Sequence, residues 1–444
     1  MADSKIVIVI GSLGLGGTER QLLMVLPELL RSGLPVRVHT MIGAGDLAPE
    51  LEAAGVEVYA PLKRVACLRR GRLGKALLLV VSAVALMRHL LDKRTLFVHC
   101  YLPQAYLMTG VCSMLVRFKH LVMSRRSLNH YQLNHSLLAK LEHRLHRDAV
   151  VGVANSKAII EELREEGFPS SRLAIIPNGI AADCEGSGEV SRSSLGISAA
   201  AIVFINVANL IPYKGHIDLI EGFAKARSKA RDRQLCLLCV GRDEGLLAEL
   251  KTWSAKLGCA EDVIFVNQVS DVRDYLNIAD VGVSASHQEG FSNAILEYMR
   301  AGLPVLATAV GGALEQVEEA VSGTLVPTRN PVRLGAAMLQ LIESAELRQR
   351  WGDAGRQRVV TKYPLDSTVE KTAVLYLALW LKRLAFEPRA KTPLEREDEW
   401  YPAILDREIR AVMEISTDEF EQRLPRDFLA ALTTTRGTLM SQYG

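Results

Sequence analysis

The sequence predicts an α/β protein of two domains, each a parallel sheet covered by helices on both faces. Three observations carry that expectation. Short runs of β-branched and aliphatic residues alternate with helical stretches from Lys5 to about Ile176. A polar, Gly/Ser-rich stretch, Ala181–Ser194, then breaks the pattern, and the alternation restarts at Ile202–Ala208. The chain has 444 residues, 49% of them apolar and 23% charged, which suffices for two sizeable cores.

Lys5–Ile10 reads as a buried strand because its β-branched run is continuous. Gly11-Ser12-Leu13-Gly14-Leu15-Gly16-Gly17 follows, and Thr18-Glu19-Arg20 opens a helix to about Leu30. No G-x-G-x-x-G spacing fits, so a dinucleotide fingerprint is excluded. The loop still brings backbone close to a ligand, since glycine adds no side chain. Strands at Val36–Thr40, Val56–Ala60 and Leu96–Cys100 alternate with helices around Ala48–Ala53 and Leu73–Leu91. The last of these contains the charge-free run Ala76–Met87, 12 residues long and too short to span a bilayer. It reads either as a core helix or as one lying in a membrane interface. Arg69, Arg70, Arg72 and Lys75 precede it, and Arg88 and Lys93 follow. His99 and Tyr101 end a strand where open α/β sheets gather their ligand-binding residues, which makes both candidates. Leu121–Met123 is the next strand, followed by Arg125, Arg126 and Ser127 and then a His-rich helix to Arg147. Ala149–Ala154 is a strand, Asn155-Ser156 caps the helix Lys157–Glu166, and Leu173–Ile176 leads to Pro177-Asn178-Gly179-Ile180 and the linker.

In the second half, Ile202–Ala208, Leu235–Gly241, Val263–Val266, Val281–Ser284 and Val305–Thr308 read as strands. The fourth runs into Ser286-His287-Gln288-Glu289-Gly290-Phe291-Ser292-Asn293, and a short helix then stops at Gly302-Leu303-Pro304. Ser292 suits an N-cap, so the amides of Asn293, Ala294 and Ile295 lack partners within the helix and, with its dipole, form a phosphate site. Glu289 and Glu297 flank that site. Carboxylates do not bind phosphate but accept hydrogen bonds from hydroxyls, so the arrangement describes a nucleotide-sugar pocket. Helices carry the chain from Val326 to about Tyr363, and Leu365–Leu384 forms one more. Phe386–Gly444 is acidic, with 12 Asp/Glu against 8 Lys/Arg.

Composition narrows the partners. Met-Ala-Asp-Ser-Lys lacks a signal-peptide pattern, and seven scattered cysteines fit a reducing cytoplasm. Cys236 and Cys239 have C-x-x-C spacing but sit in an apolar strand without a second ligand pair, which favours packing over zinc. The net charge of +3 is uneven: Pro61–Val150 holds 16 Lys/Arg against 3 Asp/Glu, with 7 of the 10 His. That excess fits an anionic membrane surface or an acidic acceptor, or a solvated basic face; no nucleic-acid motif accompanies it.

Glu289-Gly290-Phe291-Ser292-Asn293, Glu297, Ala301-Gly302-Leu303-Pro304-Val305, Gly311-Gly312 and Glu315 together resemble the signature of the family-4 retaining glycosyltransferases. Asn209-Leu210-Ile211-Pro212-Tyr213-Lys214-Gly215-His216 resembles the same family's Gly-Arg-Leu-x-x-x-Lys-Gly loop. The resemblance covers residues 5–384. It implies the GT-B architecture, two Rossmann-like doubly wound domains facing across a cleft. Residues 1–185 would be the acceptor side and 195–364 the nucleotide-sugar side, with 365–385 returning to the first domain and 386–444 an extension outside the family core. It further implies that Glu289 meets the sugar hydroxyls and Glu297 the ribose. Lys214 and the amides of Phe291, Ser292 and Asn293 would take the diphosphate, with Gly290 also in the donor site. Backbone around Val269 would hold the base, and Gly16 and Gly17 would face the donor phosphates. Two positions depart from the pattern: Asn209 stands where an arginine is usual, and Tyr101 where a second histidine is usual beside His99. Arg125 or Arg126 is a candidate to restore the missing charge. No Asp-x-Asp motif lies near the site, so no metal or other cofactor is expected, and the UDP- or GDP-linked sugar is a substrate. The acceptor would be a glycan or a lipid-linked saccharide, with the enzyme in the cytoplasm or peripheral on the inner face of the cell membrane. A nucleotide-sugar 2-epimerase of this architecture and a non-catalytic sugar-nucleotide scaffold are the alternatives.

Overall fold

The computed structural model describes residues 4–61, 71–182, 186–269 and 271–382. The acidic stretch Phe386–Gly444, the end of the expected helix Leu365–Leu384 and the flanking Arg69 and Arg70 lie outside the described residues. Contacts divide the chain into two compact units, one of Met1–Pro177 with the residues from Asp366 onward, the other of Asn178–Leu365.

The first unit is built on β1 (Lys5–Ile10), β2 (Val36–Thr40), β3 (Glu57–Tyr59), β4 (Thr95–Tyr101), β5 (Leu121–Arg125), β6 (Val151–Ala154) and β7 (Leu173–Ile175). They form one sheet in the order β3-β2-β1-β4-β5-β6-β7, every pair parallel. Helices on both faces leave no side of such a sheet in water, which is why β1 and β4 are buried at every position rather than at alternate ones. The second unit holds β8 (Ile202–Val207), β9 (Leu235–Val240), β10 (Val263–Val266), β11 (Val281–Ser284), β12 (Val305–Thr308) and β13 (Gly323–Val326), again all parallel, in the order β10-β9-β8-β11-β12-β13. Its two faces carry separate cores. Phe204, Leu237, Cys239 and Val283 belong to one, and Val203, Ile205, Cys236 and Leu238 to the other.

Strand alternation therefore sends Cys236 and Cys239 to opposite faces, where they cannot share a metal ion, and burial pushes each thiol up to about 12. β13 escapes a sequence reading because Gly-Thr-Leu-Val is short and carries no period. Likewise the expected His-rich helix divides into a 3-10 turn, His130–Asn134, and a helix, Ser136–Leu145. Helix Leu365–Lys382 packs into the first unit, with the Tyr376 and Phe97 rings 5.0 Å apart.

Both sheets run in the order 3-2-1-4, so direction reverses between β1 and β4 in one unit and between β8 and β11 in the other. At such a reversal the two crossovers leave on opposite faces and open a crevice beyond the carboxyl ends of the strands. The Gly16-Gly17 loop, the Asn209–Lys214 loop and the Glu289–Asn293 loop each follow one of these four strands, whereas Arg126 follows β5, Val269 follows β10 and Gly311 follows β12.

Candidate active site

In the second unit the loops leaving β8 and β11 lie side by side. The β8 loop makes a 3-10 turn over Pro212–Lys214 and ends at Gly215 with φ +71°, where a side-chain carbon would fall 2.0 Å from the Ala285 carbonyl oxygen. The His287 amide donates to the Tyr213 carbonyl at 2.7 Å, and His287 Nε2 lies 2.6 Å from Asp218 Oδ2, stitching the loops together. Across this seam Lys214 Nζ donates to Glu289 Oε2 at 2.6 Å, and the Ser286 hydroxyl donates to the same oxygen at 3.2 Å. The two side chains are 21% and 14% exposed, so the pair is partly desolvated. Burial alone would lower the lysine pKa, but the charge and hydrogen bond of Glu289 outweigh it and raise the value, which keeps Lys214 cationic at neutral pH.

Ser292 caps helix Asn293–Arg300, its Oγ accepting from the Ile295 amide at 3.4 Å. The surrounding turn is held from outside the motif. Gln316 Oε1 accepts from the Ser292 amide at 3.0 Å, and Gln316 Nε2 donates to the Ser292 carbonyl at 2.7 Å. This corrects the expected set of diphosphate-binding amides, since those of Ser292 and Ile295 are already engaged. Phe291 is buried with its ring 5.5 Å from that of Tyr363, so only its backbone is available to a ligand. The Gly290 carbonyl accepts from the Gly312 amide at 2.9 Å. Gly311, with φ +48°, passes so close that a side-chain carbon would lie 1.6 Å from the Glu289 carbonyl oxygen. Glu297 stands one turn into the helix, half-buried, and Asn293 Oδ1 accepts from Asn178 Nδ2 at 2.7 Å. Asn209, on the β8 loop, and Val269, on the loop after β10, are both half-buried. Asn209 Oδ1 accepts from the Arg242 amide at 3.3 Å, so it braces the β9 loop.

At the first unit's reversal, Gly16 is the cap residue of helix Gly17–Arg31, and Gly17 is exposed. His99 and Tyr101 on β4 are buried. His99 Nδ1 lies 2.7 Å from the Tyr376 hydroxyl and Nε2 lies 2.8 Å from the Ser124 hydroxyl, which leaves neither ring nitrogen for a substrate. Burial, with some help from Arg126, holds its pKa well below the usual value, so the ring is neutral. The candidate catalytic role of His99 is thus corrected to one in the core. Tyr101 packs 4.4 Å from the His99 ring and carries the Arg126 guanidinium 5.3 Å above its own.

Arg125 is also corrected. It is 1% exposed, donates to Glu142 Oε1 at 2.5 Å and to Glu166, and so has no charge to lend elsewhere. Asn129 Nδ2 donates to Glu166 at 2.7 Å, His146 Nε2 lies 2.9 Å from that carboxylate, and Tyr131 and Gln132 donate to Glu142. Glu142, His146 and Glu166 are the one group among the described residues with ligand atoms close enough for a metal ion. The guanidinium and these donors already occupy the carboxylate oxygens, so the group is a buried ion-pair network. Its non-local partners, like Gln316, carry no sequence signal.

Comparison with known proteins gives the family. Residues 16–179 match the family described as a glycosyl transferase 4-like domain, and residues 188–358 match glycosyl transferases group 1. The D-inositol 3-phosphate glycosyltransferase of Geodermatophilus obscurus is 30% identical over 249 residues, covering 54% of each chain. The lipopolysaccharide glucosyltransferase WaaG of Escherichia coli K12 is 29% identical over 209 residues, covering 46% of this chain and 55% of that one. The chain thus spans about half the length of the curated relatives it matches. Among solved structures, HepE of Anabaena in complex with UDP-glucose superposes with a TM-score of 0.72 at 21% identity, over 84% of this chain and 99% of that one.

Proposed function

The chain belongs to the GT-B glycosyltransferases of family 4, and on that premise we propose that it moves a sugar, with retention of anomeric configuration, from a UDP- or GDP-linked donor to a glycan or lipid-linked saccharide at a membrane surface. One observation carries the reading above all: a cation and a carboxylate, Lys214 and Glu289, meet at 2.6 Å at the reversal point beside a capped helix. The donor rearranges that pair. Its diphosphate draws Lys214 toward the positive end of helix Asn293–Arg300, and Glu289 turns to the sugar hydroxyls while Glu297 takes those of the ribose.

As the bond between sugar C1 and the diphosphate oxygen breaks, negative charge grows on the leaving group, where Lys214 and the helix end stabilise it. Donors of this kind contribute about 3 kcal/mol each. A new bond forms from C1 to the acceptor oxygen on the same face, and the acceptor's proton passes to the departing phosphate. Lys214 and the helix supply the positive charge in this scheme, so no divalent cation is required.

HepE, with bound UDP-glucose, and the lipopolysaccharide glucosyltransferase support the donor and acceptor classes. Calorimetric titration with a panel of nucleotide sugars in EDTA, followed by NMR of the anomeric proton in the product, tests the proposal. Saturable binding of one donor and a product of unchanged anomeric configuration are expected. Failure of every nucleotide sugar to bind, or conversion of the donor without any acceptor, sinks it.

A further inference from the structure

Neither Lys214 nor Glu289 stands in an α-helix or a strand, so their pairing is only as well fixed as the two loops that carry them. Two side-chain ties join those loops. The first is the Lys214–Glu289 pair itself. The second belongs to His287, two residues before Glu289, and Asp218, four residues after Lys214. A carboxylate only accepts, so His287 Nε2 carries a proton and donates it to Asp218 Oδ2 at 2.6 Å. The ring and the carboxylate are 18% and 21% exposed, which partly shields the bond from water. Beside it the His287 amide donates to the Tyr213 carbonyl at 2.7 Å.

Both ends of the second tie are anchored in the core of the second unit. Asp218 lies in the first turn of helix His216–Lys229, whose Leu219, Ile220 and Phe223 are buried. That helix packs closely on helix Pro331–Glu343: a side-chain carbon at Gly335 would lie 2.7 Å from the Gly222 carbonyl oxygen. On the other side the Thr308 hydroxyl, at the end of β12, donates to the Ser286 carbonyl at 2.5 Å and holds the residue next to His287. Gly215 leaves the ring its space, since a side-chain carbon there would sit 3.3 Å from His287 Nε2.

Substrate treats the two ties differently. Binding in the proposed scheme gives Lys214 to the diphosphate and Glu289 to the sugar, so the first tie opens. Asp218 and His287 satisfy each other and stay joined. We propose that Asp218 and His287 are a positioning pair for donor binding, which keeps the β8 and β11 loops together once Lys214 and Glu289 have parted. This role rests on the donor-binding scheme, and neither residue is assigned a contact with substrate. In the free protein either tie covers for loss of the other. With diphosphate bound, only the second tie and the His287 amide remain.

Calorimetry with UDP and GDP, alongside urea denaturation, tests the proposal. Asp218→Ala should bind the nucleoside diphosphate about tenfold more weakly, the worth of one hydrogen bond to a charged group, with the urea midpoint of the wild type. Asp218→Asn keeps an acceptor oxygen without the charge, which roughly halves the bond, and should lose about threefold. Asp218→Ala/His287→Ala should lose about tenfold, not the roughly hundredfold of independent contributions. In a Glu289→Gln background the first tie is already missing from the free protein, so Asp218→Ala should change affinity by less than about threefold. Unchanged affinity in Asp218→Ala, additive losses, or equal losses in both backgrounds overturn the proposal. A measurement without ligand separates it from the donor-binding scheme. Hydrogen exchange at the His287 amide should rise about tenfold in Asp218→Ala/Glu289→Gln and by less than about threefold in either single variant. A double variant that protects this amide as the wild type does overturns the proposal whether or not nucleotide binds. A wild type that binds neither UDP nor GDP, yet shows the expected exchange, supports the tie and overturns the donor-binding scheme alone.

Discussion

The Lys214–Glu289 pair sets up a prediction in which one substitution moves two measurements in opposite directions. In the ligand-free protein Glu289 competes with phosphate for Lys214. Replacing Glu289 by Gln keeps the shape and removes the competing charge. The pair lies between two reference cases. Exposed ion pairs contribute less than about 1 kcal/mol, and breaking a fully buried pair costs about 3–5 kcal/mol. At 21% and 14% exposure, and with Ser286 also serving the carboxylate, about 1–2 kcal/mol is the expected strength of the competition. UDP or GDP, which lacks the sugar, should therefore bind Glu289→Gln about 5- to 30-fold more tightly, at about 1.4 kcal/mol per tenfold. Sugar transfer by the same variant should fall about 100-fold or more, because the carboxylate facing the sugar is gone. Calorimetry with the nucleoside diphosphate and initial rates with the full donor read the two effects separately. Diphosphate affinity that stays constant or weakens in Glu289→Gln would refute the idea that Lys214 leaves the carboxylate for phosphate.

Further outcomes follow from the buried polar groups. Arg125→Met should cost about 3–5 kcal/mol in urea denaturation, because it leaves Glu142 and Glu166 buried without their cation; a cost below 1 kcal/mol would mean the network tolerates the loss. His99→Phe strands the Tyr376 and Ser124 hydroxyls and should lower stability by about 1–3 kcal/mol. The folded variant should keep its KM for donor, whereas a hundredfold loss of kcat at unchanged stability would restore His99 to the chemistry. His39 and His216 are buried, one in each unit, and burial lowers their pKa values to about 3 and about 4, with His89 and Lys214 respectively adding to the shift. A base whose folded pKa is depressed contributes stability above the unfolded value, near 6.5, and loses it as pH falls. Each should therefore cost about 1.4 kcal/mol between pH 7.5 and pH 5.5, a loss that His39→Phe or His216→Phe should reduce. Gly311→Ala should abolish transfer, because its methyl group collides with the Glu289 carbonyl; wild-type rates would show that the loop yields.

The parts of the molecule legible in sequence were those whose information is local. Continuous apolar runs announced nearly every strand, and Ser292 announced its cap from residue type and position alone. Lys214 and Glu289 were linked through the resemblance of their two loops to one family's motifs, and the structure places those loops after β8 and β11, which flank the reversal point. What stayed hidden depends on partners far along the chain. Arg125 and Arg126 look alike in sequence. Folding buries the first between two glutamates and places the second over a tyrosine ring. His99 drew attention as a strand-end histidine, yet its fate was decided by Tyr376, 277 residues away. Gln316 sits 24 residues beyond Ser292 in an unremarkable helix and still fixes the turn. No residue type or spacing signals such contacts.

Tyr376 also bears on how the protein is made. The first unit is discontinuous: its sheet is complete by β7, but the helix that closes on His99 and Phe97 is encoded after the whole of Asn178–Leu365. A ribosome adding about 5–20 residues per second needs roughly 10–40 s to cover that interval. During it the nascent first unit must wait with the Phe97–His99 edge of its core uncovered. The second unit, contiguous in sequence, is free to finish folding meanwhile. The order in which the units finish folding thus runs against chain order, and the amino-terminal half is the last to be sealed.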